Sequence, residues 1–534
     1  MRREETIRSL RHQLELDLLI IGGGATGCGL ALDAASRGLK TALVERWDFA
    51  EGTSSRSSKL IHGGVRYLEA AIRNLDRSQW NLVREGLCER NTLLRIAPAL
   101  CRPLPLVVPL YHLHRLFYLY PGLKLYDWLA GKSRLPHARL LGRKETLQWL
   151  PHLNPRKLKG GILYYDARFD DARMALSLAL RADEFGASVS NYLEVCALRK
   201  HQGKVSGVRL RDHMSGEEFD VRARVVINAT GPFCDELRKL DRPGIDAMLK
   251  PSTGTHLVLK CPGPPPKAAL LIPETSDGRV IFAIPWQAHL LLGTTDRPGE
   301  VERHPLSSQE DMDYLLEHLN GYMAKAFRRE DILSRWTGVR PLLKELNPDA
   351  ETSGLSRDYR LEISDSGLVT VTGGKWTSYR LMAEKCLDRI VERFSLQPEQ
   401  PCRTASLLLE PPADEKTATP ALSGLDAEIL DSLRSRYGAR LAALLQLAED
   451  GWETRLHPDY PYLEGEVLYA VRCEMARRPL DFLARRTPLA LLDLTAAQYA
   501  LPRTTELMAA ELCWPKEKAA RELAEALRIL QTAL

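Results

Sequence analysis

The stretch Asp17-Leu-Leu-Ile-Ile-Gly-Gly-Gly-Ala-Thr-Gly27 constrains this chain more than any other. It predicts a buried strand, Leu18 to Ile21, running into a turn with glycines spaced G-x-G-x-x-G at Gly22, Gly24 and Gly27. A helix is expected from Cys28 to about Arg37, ended by Gly38, and then a second strand, Thr41-Ala-Leu-Val-Glu45. In such a unit the first glycine makes the turn, the second lets the backbone approach a pyrophosphate, and the third lets helix pack on strand. The helix N-terminus directs N–H groups and a positive dipole end at the phosphates. Glu45 ends the second strand, about 20 residues on, where an acid holds ribose hydroxyls. A lone G-x-G-x-x-G occurs in many turns. Strand, turn, helix, strand and terminal acid in that order specify a dinucleotide-binding βαβ unit.

At 534 residues the chain is long enough for two or three domains. Its 44% hydrophobic and 27% charged residues are those of a globular protein. A net charge of +5 is mild for this length. It argues against a nucleic-acid binder but permits attraction to anionic lipid or an anionic substrate. The ten cysteines show no C-x-x-C spacing, so neither a disulfide framework nor a metal site is indicated. The N-terminus is charged and helix-like without an apolar core, so it does not read as a secretory signal. No run of about 20 apolar residues predicts a membrane span.

Past Glu45, the stretch from Gly52 to Leu68 is rich in small hydroxyl residues and contains Gly63-Gly64. Alone, Thr53 to Ser58 reads as a solvated loop; directly after a βαβ unit it reads as a wrap around a flat cofactor, with Lys59, His62, Arg66 and Tyr67 as donors. A helix is expected from about Asp76 to Ile96. Between Arg102 and Leu129, apolar and aromatic residues alternate with Arg102, His112, His114, Arg115 and Lys124. Prolines 103, 105, 109 and 121 forbid one long helix. This composition suits a membrane interface and equally a core-packing excursion. Asp171 is placed to cap an apolar helix from Met174 to Glu184, and the nearby acids read as caps and ion pairs. Val225-Val-Ile-Asn-Ala-Thr-Gly231 is a second strand-to-glycine turn. Strands are expected at Thr255–Leu259, Arg279–Trp286 and Leu290–Asp296, the last two as a hairpin. Arg340 precedes Pro341 in an extended segment, and a helix starting at Gly373-Gly374-Lys375 would aim its positive end into the cleft.

Together, the motifs Ile20 to Gly27, Gly52 to Tyr67, Asn228-Ala-Thr-Gly-Pro232, Gly293-Thr-Thr-Asp296, Gly338-Val-Arg-Pro341 and Gly373-Gly-Lys-Trp-Thr377 resemble the FAD-dependent glycerol-3-phosphate dehydrogenases, in their mitochondrial-type branch. The resemblance covers about Leu16 to Leu396, and more loosely the C-terminus. It implies an α/β fold: a Rossmann-like FAD-binding domain with an antiparallel substrate-binding sheet, D-amino-acid-oxidase-like, plus a C-terminal helical cap. The expected divisions are an extension over 1–15, an oxidoreductase domain over 16–405, a linker over 406–424 and a helical domain over 425–534. Within the second, FAD-binding parts fall at about 16–100, 160–235 and 360–396, and the substrate sheet at about 250–360. The implied reaction oxidises sn-glycerol 3-phosphate to dihydroxyacetone phosphate and passes electrons to ubiquinone or menaquinone. No EF-hand loop is found, so the calcium control of animal members is not expected.

The resemblance implies cofactor contacts from Gly22, Gly24, Gly27, Glu45, Thr53, Ser54, Ser55, Ser58, Lys59, Leu60, His62, Val195, Ala229, Gly231, Gly374, Lys375 and Thr377. Arg66, Tyr67, Arg340 and Lys375 are the substrate-binding candidates. Arginine forks suit a phosphate dianion, and Lys375 can stabilise anionic charge. His62 and His256 are alternative bases for the hydroxyl proton, because imidazole titrates near neutrality. A quinone reductase without a spanning segment should lie monotopically on a membrane. The expected place is the cytoplasmic face of a bacterial inner membrane, mitochondria being disfavoured for want of a transit peptide; a homodimer is open. In the C-terminal part, Leu523, Leu527, Leu530 and Leu534 suggest one apolar helix face, and Arg477, Arg478, Arg485 and Arg486 read singly as solvated.

Overall fold

The computed structural model describes residues 3–12, 15–64, 77–131, 135–273, 275, 278–344, 359–411, 425–447 and 451–532. The first βαβ unit forms as its sequence dictates. Leu16–Ile21 and Thr41–Val44 pair in parallel, with Ile20 opposite Leu43, and the helix Ala25–Ser36 connects them. The helix starts three residues earlier than expected, directly at the glycine turn. On the other side of Leu16–Ile21 runs the long strand Glu218–Asn228, also parallel, followed by Val369–Gly373. Where both faces are covered the strands are apolar, as over 18–21 and 225–227, whereas the first half of Glu218–Asn228 alternates, with Glu218, Asp220, Arg222 and Arg224 exposed. Leu30, Leu32, Met174, Leu178, Cys386 and Leu387 share one core above it, where Ala25–Ser36, Asp171–Glu184 and Tyr379–Phe394 meet.

A second, ten-stranded sheet is antiparallel except where Ala269–Ile272 runs parallel to Cys101–Leu110. Its alternation sorts the two faces. Val107, Leu163, Leu257 and Leu270 pack with Leu315 and Leu319 of the helix Gln309–Asn320. Tyr164, Val258, Leu271 and Ile284 share the opposite face with C-terminal residues such as Ala490 and Ala497. The expected hairpin joins Ile281–Trp286 to His289–Gly293, with Trp286 opposite His289. Its second strand stops at Gly293, and Thr294 to Asp296 leaves the sheet.

The proline-rich segment divides. Cys101–Leu110 is an interior strand whose Leu104, Leu106 and Val108 are core, and Leu116–Leu129 is a helix. Pro103, Pro105 and Pro109 share one parity, so the N–H groups they lack all point to one edge. All three lie outside the Leu106–Val107 stretch that pairs with Ala269–Leu270.

Three expectations about charges and caps are corrected. Asp170, not Asp171, caps the helix Asp171–Glu184 by accepting from Arg173 N–H at 3.0 Å. Arg485 and Arg486 are not solvated: both are buried and donate to Asp48, beside the dinucleotide turn. Burial alone would raise the Asp48 carboxyl, but the two guanidiniums hold it below the usual carboxylate range. In the last helix, Lys516–Thr532, the buried residues are Ala526, Ile529 and Leu530; Leu527 is exposed, and Leu534 lies outside the described residues. The linker expectation rests largely on 412–424, also outside them.

Removing Asp48 would leave the buried Arg486 without a carboxylate, while Arg485 would keep Asp481 at 2.6 Å. Asp48→Ala is expected to cost about 3–5 kcal/mol in urea unfolding. Arg503→Ala, which breaks a half-exposed pair with Glu464, should cost under about 1 kcal/mol.

Candidate active site

The two sheets enclose a cavity of about 1270 Å³. That exceeds the roughly 300–1,000 Å³ of an ordinary small-molecule pocket and suits a long cofactor together with a substrate. The parallel sheet contributes Gly22, Gly24, Glu45, Ala229 and Gly231 to its wall, with Val195 beside them. The larger sheet contributes Leu60, Tyr164, Asp166, His256, Phe282 and Arg340. Thr53, Ser54, Ser58, His62, Gly374, Lys375 and Thr377 close the remaining side.

The cofactor cradle is set by backbone clearance. A Cβ on Gly27 would lie 1.8 Å from the Gly22 carbonyl oxygen, so helix and turn touch there directly. Gly22 has φ +113°, and its Cβ would stand 2.6 Å from the Ala229 carbonyl oxygen. Gly24 differs: a Cβ there meets little beyond Ser54 Oγ, at 2.9 Å. That hydroxyl accepts from Ala25 N–H at 2.9 Å. Glu45 accepts from Gly23 N–H at 2.6 Å and Trp47 N–H at 2.8 Å, one on each carboxylate oxygen. Each oxygen keeps a lone pair for a ribose hydroxyl. Burial raises this carboxyl above its ordinary value. Arg46 lies 3.9 Å over Trp47 and 4.3 Å over Phe233, giving this end an aromatic and cationic wall.

Gly27, Ser55 and Lys59 are not on the cavity wall. Gly27 acts through packing, as above. Lys59 is buried and pairs with Asp171 at 2.5 Å, and it donates to Ser55 O at 3.1 Å. Asp171 also accepts from Ser57 Oγ at 2.7 Å. The lysine therefore fastens the serine loop to the helix below it. Arg66 and Tyr67 lie outside the described residues.

At the other end, His62, His256, Arg340 and Lys375 all reach one cavity. The His62 backbone is held on both sides by Thr377 Oγ1, which accepts from its N–H and donates to its carbonyl, each at 3.3 Å. His256 is stacked on Trp336 at 5.3 Å, with Nε2 2.8 Å from Ser58 Oγ. Burial, then the charges of Arg340 and Lys59, push its imidazole well below the ordinary range. The loop that leaves the sheet at Gly293 wraps the Arg340 guanidinium. That guanidinium donates to Thr295 O at 2.9 Å and Thr294 Oγ1 at 3.1 Å, and pairs with Asp296 at 3.3 Å. The expected helix at Gly373 begins later. Gly373 and Gly374 both take left-handed backbone, a short turn follows over Trp376–Ser378, and the helix starts at Tyr379. Trp376 Nε1 donates to Ser54 O at 2.9 Å, tying this turn to the serine loop.

Sequence reading missed Arg56, Asp166 and Arg279 on the wall. Burial lowers the Arg56 guanidinium to about 10 and raises the Asp166 carboxyl to about 6. The available signal was a charged residue beside or inside an apolar strand: Arg279 just before Ile281–Trp286, Asp166 within Gly160–Phe169.

These clearances separate two glycines. Gly24→Val should fold but bind little flavin, because its side chain points where a pyrophosphate must approach. Gly27→Ala should fail to fold, since backbone rather than a mobile side chain opposes it. Flavin absorbance per purified protein and circular dichroism check both.

Comparison with known proteins agrees with this geometry. Residues 17–380 match the family described as FAD dependent oxidoreductase, and residues 369–519 match the C-terminal domain of alpha-glycerophosphate oxidase. The mitochondrial glycerol-3-phosphate dehydrogenases of Mus musculus and Homo sapiens are each 44% identical to this chain, over 99% of it and 75% of their own length. That of Arabidopsis thaliana is 40% identical over 97% of the chain and 86% of its own. The glycerol-3-phosphate dehydrogenase from Bacillus halodurans, solved with FAD, superposes with a TM-score of 0.80 at 32% identity, covering 99% of this chain and 97% of that one. The mitochondrial relatives run against the expected bacterial inner-membrane face. A glycine cradle for a dinucleotide, a facing sheet that carries a fixed arginine, and near-complete alignment at these identities place this chain in the family of FAD-dependent glycerol-3-phosphate dehydrogenases.

Proposed function

We propose that this chain oxidises sn-glycerol 3-phosphate to dihydroxyacetone phosphate and delivers the electrons to a membrane quinone. The observation that carries this reading is the convergence of the dinucleotide cradle with His62, Arg340 and Lys375 on one cavity. When bound, FAD supplies the hydride acceptor. The chain's own residues supply the rest. Arg340, held rigid by the loop at Thr294 to Asp296, anchors the phosphate with charge-assisted hydrogen bonds. Lys375 stabilises the anionic charge beside it.

His62 takes the hydroxyl proton. His256 is the poorer base on two counts. Its Nε2 is engaged by Ser58, and a nitrogen whose proton affinity is pushed so low accepts a proton weakly. His256 instead buttresses the sheet: a Cβ on Gly293 would stand 2.2 Å from its ring. Leu60, Tyr164 and Phe282 line the same cavity and give it apolar surface.

The membrane reading rests on the helix Leu116–Leu129 and the turn before it. Phe117 is 80% exposed, Trp128 72% and Leu113 58%, an unusual display of large apolar side chains. Arg115 and Lys124 lie among them. Leu123, Tyr126 and Leu129 are buried on the other side, and Leu119 reaches the cavity wall. This one element therefore carries an exposed apolar surface and a residue of the cavity wall, which supports a lipid-facing role. Among the described residues, no helix is long and apolar enough to cross a membrane.

Anaerobic addition of sn-glycerol 3-phosphate should bleach the bound flavin, and quinone should restore its colour. A flavin that stays oxidised would defeat the assignment, and rapid recolouring by oxygen with peroxide release would indicate an oxidase. Arg340→Met should raise KM for glycerol 3-phosphate about 10- to 100-fold, the loss of a charge-assisted bond of about 1.5–3 kcal/mol. Turnover of glycerol should hardly change. Replacing Leu113, Phe117 and Trp128 with serine should release the protein from anionic vesicles and spare activity with a soluble dye. Unchanged vesicle binding would assign this surface another role.

A further inference from the structure

The peptide unit joining His62 to Gly63 is gripped at both of its polar atoms. Its carbonyl accepts from Thr377 Oγ1 at 3.3 Å. Its N–H donates to the hydroxyl of Tyr126 at 2.7 Å. That hydroxyl in turn donates to Asp166, whose two oxygens lie at 3.0 and 3.1 Å. Arg90 pairs with the same carboxylate at 2.6 Å and also donates to Tyr165 O at 3.2 Å. Tyr126, Asp166 and Arg90 are all buried. The chain of bonds thus runs from a buried guanidinium, through a carboxylate on the cavity wall, to a tyrosine hydroxyl and one backbone amide.

The sequence is shaped for this contact. A Cβ on Gly63 would fall 2.5 Å from Leu87 Cγ and 3.1 Å from Tyr126 Oη. A Cβ on Gly86 would press on Gly63 Cα at 3.1 Å. Gly63 gives the peptide its place between the helix Arg77–Ile96 and the tyrosine, and a larger residue in place of Gly86 would crowd it. A peptide unit is planar, so fixing its N–H and C=O fixes the backbone rotation that aims the preceding side chain. Here the preceding side chain is His62.

We propose that Tyr126 is a positioning residue for His62, held in place by the Asp166–Arg90 pair, and that it sets the approach of the imidazole to the substrate hydroxyl. The inference rests on His62 being the base. Tyr126 does not line the cavity, so it touches neither substrate nor cofactor. Its hydroxyl serves geometry alone, and small errors in the placement of a reacting group are costly.

Tyr126→Phe keeps the buried ring and removes only the hydroxyl. In anaerobic stopped-flow, its limiting rate of flavin reduction by glycerol 3-phosphate should fall about 10- to 100-fold. Substrate affinity and flavin content should stay within about twofold. The deciding measurement is the double-mutant cycle with His62→Ala. If Tyr126 acts through His62, adding Tyr126→Phe to His62→Ala slows reduction no further. Equal slowing in both backgrounds would mean general loosening and would overturn the inference, as would an unchanged rate in Tyr126→Phe. A wild-type rate in His62→Ala would instead remove the parent reading of His62 as base, and this inference with it. Should Tyr126→Phe not fold, Asp166→Asn, which keeps an acceptor for the hydroxyl but loses the ion pair, enters the same cycle under the same criteria.

Discussion

Backbone touches backbone at the first turn of the βαβ unit, and the placement of everything else follows from that approach. The Gly22 carbonyl sits where a Cβ of Gly27 would be, and the Ala229 carbonyl sits where a Cβ of Gly22 would be. The turn, the helix that follows it and the distant segment at Ala229 therefore meet without side chains between them. Any side chain there would push the helix Ala25–Ser36 off its sheet, and with it the helices Asp171–Glu184 and Tyr379–Phe394 that share its core. The last of these follows the turn that carries Lys375 and Thr377. Close packing at one glycine thus propagates to the geometry of the redox end.

The opposite wall of the site works by another means. Its positions are fixed by hydrogen bonds to polar side chains rather than by clearance. Arg340 is held by the loop that leaves the sheet at Gly293, and behind the wall Lys59 is held by Asp171 and the Ser55 carbonyl. Buried charge is tolerated around the site where a counterpart lies close. Glu51 shows the balance: burial alone would raise its carboxyl, yet Arg485 and Arg303 bring it down to about 2. Such groups are expensive to isolate and inexpensive to keep together.

What could be read in the sequence was local. The turn at Gly22 to Gly27 and the acid at Glu45 declare themselves because strand, turn, helix and acid follow one another within one short span. The histidines and Arg340 were placed as candidates by motif, but not ranked. The ranking needed Trp336 and Ser58 around His256, which no spacing reveals. Arg485 and Arg486 looked solvated because their partner, Asp48, is more than 430 residues away. Lys59 looked like a cofactor donor because Asp171, which claims it, lies 112 residues on. The segment from Arg102 to Leu129 held two answers: its strand half is core, and its helical half shows Phe117 and Trp128 to the outside. Composition averaged over both could not separate them.

The pairing of Asp48 with Arg485 and Arg486 has a consequence in time. A ribosome makes the dinucleotide turn early, and the arginines that compensate its buried acid come 437 and 438 residues later. At about 5–20 residues per second, that interval is roughly 20–90 s. Throughout it the nascent oxidoreductase portion carries an acid destined for burial and no cation to meet it. The ion pairs that neutralise this acid can therefore close only when translation is nearly over.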